Sequence, residues 1–407
     1  MVNLAPGRAA ALPLVVQMEG NKVKQYTRLL SLLAALVLVL AACGDGAAET
    51  TTTTGAATTT TGAGETTTTE AEETTTTEAG GEVTPVKACF VTDLAGVDDR
   101  SFNAEGWRGV NDAVAAGFVQ ADPILLESDA DTDYQPNIDQ CLAQGSTHIV
   151  TNGFQLGPAT QSNAEANPDV KFTIVDFGYD PDVPNIRELV YQTDEAAFAA
   201  GYLAAGVTQT GVIGTYGGLN IPTVAIFLDG LARGVQYYNE QKGTDVRVVG
   251  WDIEAQDGTF TGTFDPADPT VRATCESILD EGADIMLPVG GAINLPCGTA
   301  IQDRGLDAAL IGVDADAFFA MPEQYQDLWL VTIEKGIALS VTTSLQDDAS
   351  GMWSSGGSVF SLANDGVGLS EYHSWADRVS PELDAEVQQI LQDIKDGVID
   401  ASFFEVG

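Results

Sequence analysis

Histidine and positive charge are what this chain has least of. It carries two histidines, His148 and His373, and 17 Lys or Arg against 59 Asp or Glu, giving a formal net charge of −42 over 407 residues. The histidines lie far apart and neither belongs to a ligand-spacing pattern, which argues against a histidine-rich metal site. A chain without a broad basic face cannot neutralise a phosphate backbone, so nucleic acid polymers are not expected partners. No GxSxG turn and no CxxC pair occur. Asp129, Asp131 and Asp133 start like a calcium loop, but Tyr134 stands where glycine is required and Gln140 where the bidentate Glu belongs. The run from Gly211 to Gly218 is glycine-rich yet is neither GxGxxG nor a P-loop, and it reads as tight-turn glycine. No catalytic constellation is left. The chain is expected to bind rather than to catalyse, with no cofactor and no metal.

Long apolar runs are also scarce. Leu29 to Leu40 is a run of twelve broken only by Ser31, and Lys22, Lys24 and Arg28 precede it. A bilayer core needs about 20 apolar residues in a helix, so this run is too short to span. It has the size of a signal-peptide core. Leu40-Ala41-Ala42-Cys43 resembles the bacterial lipobox, in which small residues admit the signal peptidase and the thiol takes a diacylglycerol. The expectation is a signal peptide over 1–42, lipidation at Cys43 and a place on the extracytoplasmic face of the cell membrane, held by the lipid anchor. An uncleaved N-terminal anchor is the alternative. The residues before Lys22 are unlike a normal signal-peptide start, and Met18 or Val23 are alternative first residues.

Residues 44–84 are almost wholly Thr, Glu, Ala and Gly, with no aromatic residue and with Val83 as the only aliphatic side chain larger than Ala. Such a segment buries too little apolar surface to offset its ordering entropy, so 43–84 is expected to be a disordered tether or, alternatively, a glycosylated stalk. Four cysteines follow Cys43: Cys89, Cys141, Cys275 and Cys297. An even set outside the cytoplasm favours disulfides. Three pairings are open to the sequence; Cys89–Cys141 and Cys275–Cys297 are expected because each pair lies within one strand–helix neighbourhood, with four free buried thiols as the alternative.

From Val86 onward, short apolar runs alternate with amphipathic stretches. Strands are expected at 86–92, 124–127, 148–151, 172–176 and 189–192, with helices over 102–116, 134–144, 158–167 and 195–206. The pattern restarts at Gly211 with strands at 211–215, 246–251, 285–289, 309–313 and 328–332, interleaved with helices over 222–239, 270–281, 297–304 and 336–346, and closes with a helix over 381–397. Alternation of this kind makes parallel sheets from βαβ units. The expected fold is α/β, two doubly wound parallel-sheet lobes joined by a multi-strand hinge, with 86–194 and about 318–350 in the N-terminal lobe and 195–317 and about 351–407 in the C-terminal lobe. Ligands of such sheets sit beyond the strand carboxyl ends. Here those ends are Asp93, Asn152-Gly153-Phe154, Asp176, Gly217-Gly218, Gly290-Gly291 and Asp314.

One segment is more specific. Thr92-Asp93-Leu-Ala-Gly-Val-Asp-Asp99-Arg-Ser-Phe102-Asn103 resembles the T-D-x-G-G-x-x-D-x-S-F-N signature of the basic membrane protein family, the purine-nucleoside receptor lipoproteins, with Ala95 for a glycine. Further likenesses are Phe172–Asp176 to F-x-x-x-D, Glu195–Gly201 to E-x-x-F-L-A-G, Ile221-Pro222 with Phe227, Gly230 and Gly234 to I-P-x-x-x-x-F-x-x-G-F-x-x-G, Ile311–Asp316 to I-G-V-D-x-D, and Thr332–Lys335 to S-x-x-K. After Gly290-Gly291 the chain departs, with Ala292-Ile293-Asn294 for the usual T-G, and Ala317 replaces a Gln.

The resemblance implies a type I periplasmic-binding-protein fold and a nucleoside held between the lobes for an ABC permease, in a monomer. Carried over residue by residue, it assigns Phe102 and Phe227 to the two faces of the base and Asp93 and Asp176 to the base edge. It assigns Asp314 and Lys335 to the ribose hydroxyls and the backbone at Gly291 to close approach to the sugar. Asn103, the last residue of the signature, and Phe154, at a strand end, join this set. A ligand-sensing lipoprotein, or a receptor for a related sugar-bearing solute, is the alternative.

Overall fold

The computed structural model describes residues 83–404. The signal peptide, the lipidation site at Cys43 and all but the end of the tether lie outside the described residues. Among those described, no helix is long and apolar enough to cross a membrane.

The first half folds as β1 (Ala88–Thr92), α1 (Phe102–Ala115), β2 (Ile124–Leu126), α2 (Tyr134–Ala143), β3 (His148–Asn152), α3 (Gly157–Ala166), β4 (Lys171–Val175) and β5 (Ile186–Tyr191). β1 and β3 are buried along their whole length, as strands covered on both faces by helices must be. The second half folds as α4 (Thr193–Val207), β6 (Val212–Gly217), α5 (Pro222–Lys242), β7 (Arg247–Val249), a short β8–β9 hairpin (Trp251–Asp252 and Asp257–Gly258), α6 (Pro269–Asp280), β10 (Ile285–Val289), α7 (Asn294–Arg304), β11 (Ala309–Asp314), α8 (Ala317–Ala320) and β12 (Trp329–Lys335). The chain ends with α9 (Ile337–Ala349), β13 (Gly356–Phe360), β14 (Val367–Leu369) and α10 (Pro381–Lys395).

Two six-stranded sheets result, ordered β13-β5-β4-β3-β1-β2 and β14-β12-β11-β10-β6-β7. Both orders reverse direction once, between β1 and β3 in one lobe and between β6 and β10 in the other. These reversals open a crevice at the strand carboxyl ends. The helix pair α4–α5 forms the heart of the second lobe. A Cβ on Gly201 would lie 2.1 Å from the Leu231 carbonyl oxygen, and one on Gly234 would lie 1.9 Å from that of Phe198. The glycines of these two motifs therefore serve close helix packing, not ligand contact.

The lobe boundaries differ from the expectation. β12 pairs in parallel with β11, so the chain stays in the second lobe as far as Lys335. α9 then packs on α1, and β13 pairs with β5, which returns 337–360 to the first lobe. β14 pairs with β12 in the second lobe again. The connections after Tyr191, Lys335 and Phe360 thus make a three-stranded hinge. The earlier boundary shifts because β12 joins β11 and not the first sheet; the later one shifts because β13 reads Gly-Gly-Ser-Val-Phe and is only half-buried, so hydrogen bonds to β5 define it, not a hydrophobic pattern.

Disulfides join Cys89 of β1 to Cys141 of α2, and Cys275 of α6 to Cys297 of α7. The second links two helices of one lobe, not a strand and a helix.

Candidate functional site

The crevice between the lobes is lined by Asp93, Phe102, Asn103, Phe154, Asp176, Phe227, Gly291, Asp314 and Lys335. All nine residues named from the sequence thus meet at one surface. The cavity gives about 70 Å³ to the centres of water-sized molecules, so it is a narrow slot between nearly apposed walls.

Asp99 explains the rigidity of the entry to α1. Its buried carboxylate accepts hydrogen bonds from the backbone N–H groups of Ser101, Asn103 and Ala104, at 3.0, 2.8 and 3.0 Å. It thereby caps the helix and fixes where Phe102 and Asn103 point. The fully buried Asn103 donates to Asp93 Oδ1 at 2.6 Å and accepts from Asn152 Nδ2 at 3.0 Å. A short amide chain thus orients the Asp93 carboxylate. Ser101 reaches across the crevice, donating to the Val313 carbonyl at 3.0 Å and Asp314 Oδ2 at 3.1 Å. A Cβ on Gly291 of the second lobe would lie 3.7 Å from the Asp99 Cβ of the first. The lobes are closed on each other.

Asp176 and Asp314 are equivalent in the two lobes, each standing at the end of the fourth strand of its βαβ series. Both adopt the left-handed backbone region, with φ of 64° and 67°. That conformation is uncommon for a residue with a Cβ and turns both carboxylates toward the hinge. Between them lies the Lys335 ammonium, 2.8 Å from Asp176 Oδ2 and 3.8 Å from Asp314 Oδ1. The same ammonium sits 5.4 Å from the ring centres of Phe102 and Tyr191 and 5.1 Å from that of Phe227. A desolvated cation gains from aromatic faces at such distances.

One lysine among four acids leaves negative charge in excess. Burial pushes the Asp314 carboxyl up to about 6, against the pull of Lys335 in the other direction. Burial likewise raises Asp93 to about 6, opposed by the hydrogen bonds from Asn103 and Ala95. Asp99 rises to about 6 by burial although three backbone donors favour its ionised form. Asp176 is raised too, by burial that Lys335 only partly offsets. Asp314 Oδ1 is buried with no hydrogen-bond partner. The site holds acceptors and two aromatic faces, and it is short of donors.

The sequence reading missed several contributors. Ser101 and Asp99 lay inside the signature, but their bonding roles depend on the helix entry and on the other lobe. Tyr191 ends β5, and only the hinge brings its ring to Lys335. Phe264 carries no motif at all; its ring fills the space left by Gly218 and Gly290, whose Cβ positions fall 2.2 and 2.6 Å from it. The paired glycines signal that something approaches closely, without saying what.

Residues 86–400 match the family of ABC transporter substrate-binding proteins described as PnrA-like. The chain belongs to this family. It is 26% identical over 337 residues to the ABC transporter nucleoside-binding protein BmpA of Lactococcus lactis subsp. cremoris, covering 78% of this chain and 89% of that protein. It is 27% identical over 249 residues to Basic membrane protein A1 of Borrelia garinii subsp. bavariensis, covering 61% and 68%. Among solved structures, a solute-binding protein of an ABC transporter system from Aeropyrum pernix K1 superposes with a TM-score of 0.68 at 23% identity, over 79% of this chain and 94% of that one. A second, from Conexibacter woesei, gives 0.60 at 21% identity, over 79% and 100%. The PnrA-like chain therefore has the two-lobed fold of periplasmic solute-binding proteins and is a substrate-binding component of an ABC transporter.

Proposed function

We propose that this PnrA-like protein binds a purine nucleoside between its lobes and delivers it to a membrane permease for import, anchored by lipid at Cys43 on the outer side of the cell membrane. The observation that carries the reading is the set around Lys335: one ammonium flanked by the Phe102 and Phe227 rings and by the equivalent aspartates Asp176 and Asp314. Two aromatic faces suit a flat base, whose stacking contributes about 1–3 kcal/mol per base. Vicinal ribose hydroxyls are donors, and the unpartnered Asp314 Oδ1 is an acceptor that lacks one. The base edge brings N–H donors to Asp93 and Asp176. A neutral ligand rich in donors matches a site rich in acceptors, whereas an anionic ligand meets repulsion from the same carboxylates.

Binding rather than turnover is part of the same reading, in which the carboxylates hold the hydroxyls of the ligand. The test is calorimetry on the purified protein with inosine, adenosine, guanosine, uridine, adenine and ribose. A purine nucleoside is expected to bind with a Kd on the order of micromolar or tighter, and adenine or ribose alone at least about 100-fold more weakly. Heat from a free sugar but from none of the nucleosides overturns the reading in favour of another solute.

A further inference from the structure

After α10 the chain runs back to the start of α4, where the first hinge connection enters the second lobe. Residues 401–404 are tied down there by Asp194 and Glu195, two buried acids in the first turn of α4. Asp194 Oδ2 accepts from the N–H groups of Phe403 and Phe404 at 2.5 and 3.0 Å, and Asp194 Oδ1 accepts from Gln192 Nε2 at 2.7 Å. The same Gln192 amide donates to the Phe404 carbonyl at 3.0 Å. Glu195 Oε1 accepts from the Ser402 hydroxyl at 3.0 Å, and its Oε2 accepts from the Leu362 N–H at 2.8 Å. A helix N-terminus favours carboxylates, and each of these two binds the tail and a hinge connection at once.

The three hinge connections are in turn bonded to one another. The Gln192 N–H donates to the Phe360 carbonyl at 2.8 Å, which joins the first to the third. The Gly336 N–H donates to the Gly366 carbonyl at 2.8 Å, which joins the second to the third. Tyr191 stacks on Phe360 with ring centres 5.3 Å apart and planes at 28°, and its hydroxyl meets Ser340 at 2.5 Å. The face of Tyr191 lies 5.4 Å from the Lys335 ammonium, and Gly336 follows Lys335 in the chain. A continuous run of bonds and contacts thus leads from the tail to the one cation between Asp176 and Asp314.

We propose that residues 401–404 are a positioning strap for the ligand site: they clamp Gln192 and Leu362 to α4, and so hold Tyr191 and Lys335 in the geometry that retains the ligand. Lobe opening is absorbed by changes of φ and ψ in a few connecting residues. Gln192 is bonded through its N–H and through its side-chain amide, so it cannot turn without breaking both sets of bonds. The strap therefore confines the pivot to the first-lobe side of Gln192 and stiffens the hinge. Residues 401–404 do not line the crevice, so the strap acts through the hinge and not by touching the ligand. Its effect falls on release, since the closed lobes must part before the ligand leaves.

Stopped-flow kinetics with adenosine and small-angle scattering of the ligand-free protein test the strap. Gln192→Ala removes the amide that bonds Asp194 and the Phe404 carbonyl and keeps the backbone bond to Phe360. It is expected to speed adenosine release at least about fivefold, with the association rate within about twofold of wild type, and to enlarge the radius of gyration. Ser402→Ala removes only the bond to Glu195 and is expected to speed release about twofold, so it tests the strap even if the first variant fails to fold. Tyr202→Phe removes a bond between α4 and Glu386 of α10 further along the helix, and both readings are expected to stay at wild type. A lower urea midpoint in Gln192→Ala and Ser402→Ala, with release and radius of gyration unchanged, overturns the strap and leaves the tail as packing. The kinetic readings rest on the nucleoside proposal and the scattering does not. If the wild type binds no nucleoside, that proposal falls, and an unchanged radius of gyration in Gln192→Ala overturns the strap separately, while an enlarged one upholds it.

Discussion

The first lobe buries charge at both ends of its sheet, and the two ends are finished differently. At the strand starts, His148 bonds Asp348 Oδ2 through Nδ1 and Thr173 Oγ1 through Nε2, each at 2.8 Å, and Thr173 meets Ser344 at 2.7 Å. Lys171 takes the other Asp348 oxygen, Arg187 pairs with Asp347, and the Trp353 ring lies 5.5 Å from both cations. Burial pushes the Asp348 carboxyl up, but the hydrogen bond from His148 and the Lys171 charge outweigh it and hold the group below its usual range. Burial lowers the His148 imidazole, so the neutral ring donates from Nδ1 to the carboxylate and accepts at Nε2 from Thr173. At the strand ends, where the second lobe adds Asp314 and Lys335, the balance is reversed: the acids outnumber the cation, their pKa values rise, and Asp314 Oδ1 and Asn152 Oδ1 have no partner. A buried cluster whose charges are all paired, with only the Trp353 indole N–H left over, holds structure together, and one whose acids are left short of donors is matched to something that supplies them.

The largest expected effect breaks the finished end. Asp348→Ala leaves His148 buried without its acceptor and Lys171 without its carboxylate. Leaving the neutral, buried His148 N–H without its acceptor costs about 1–3 kcal/mol of folding stability, while the partly exposed Lys171 turns to water. Urea unfolding measures it, with nucleoside affinity expected to stay within about threefold of wild type. A stability loss below about 1 kcal/mol dissolves the contrast between the two ends.

That contrast also marks what was legible in the sequence. The strand-end residues are short-range features: Asp93, Asp176 and Asp314 each end an apolar run, and periodicity placed those runs. Phe102 and Asn103 came from a contiguous signature. The His148 cluster was invisible because it is assembled from the starts of three strands and from α9, which the chain reaches some 200 residues after His148. The same cause misplaced the third hinge connection. A Gly-Ser strand such as β13 has no side-chain pattern, and its partner β5 is distant in sequence. Phe264 was unreadable for want of any fixed spacing to the glycines it covers.

At the unfinished end the expected loss is one of affinity. Asp314→Ala removes a buried carboxylate whose second oxygen has no partner, while Ser101 keeps its bond to the Val313 carbonyl. Nucleoside affinity is expected to fall at least tenfold, about 1.4 kcal/mol or more. The urea midpoint is expected to stay level or rise, since an incompletely compensated charge has been removed. Unchanged affinity in this variant removes Asp314 from the site. A large fall in stability assigns it to the framework, alongside Asp348.

The smallest effect sharpens the comparison through pH. Asp93 and Asp314 titrate near 6 in the ligand-free protein. A ligand that donates hydrogen bonds to them favours the ionised forms, lowers both pKa values and releases protons on binding. The sign is therefore fixed: affinity rises as pH increases through about 6 and levels off above it. At a pH equal to the pKa each group is half protonated, so two groups reduce affinity by about two- to fourfold between pH 7.5 and pH 6. Asp348 contributes nothing over this window, because its lowered pKa keeps it ionised throughout and its stabilisation is lost only as pH falls below the usual carboxylate range. Titrations at pH 6 in buffers of different ionisation enthalpy measure the released protons directly. Proton uptake in place of release, or an affinity that is flat across the window in wild type, means that the ligand's donors do not reach these two carboxylates.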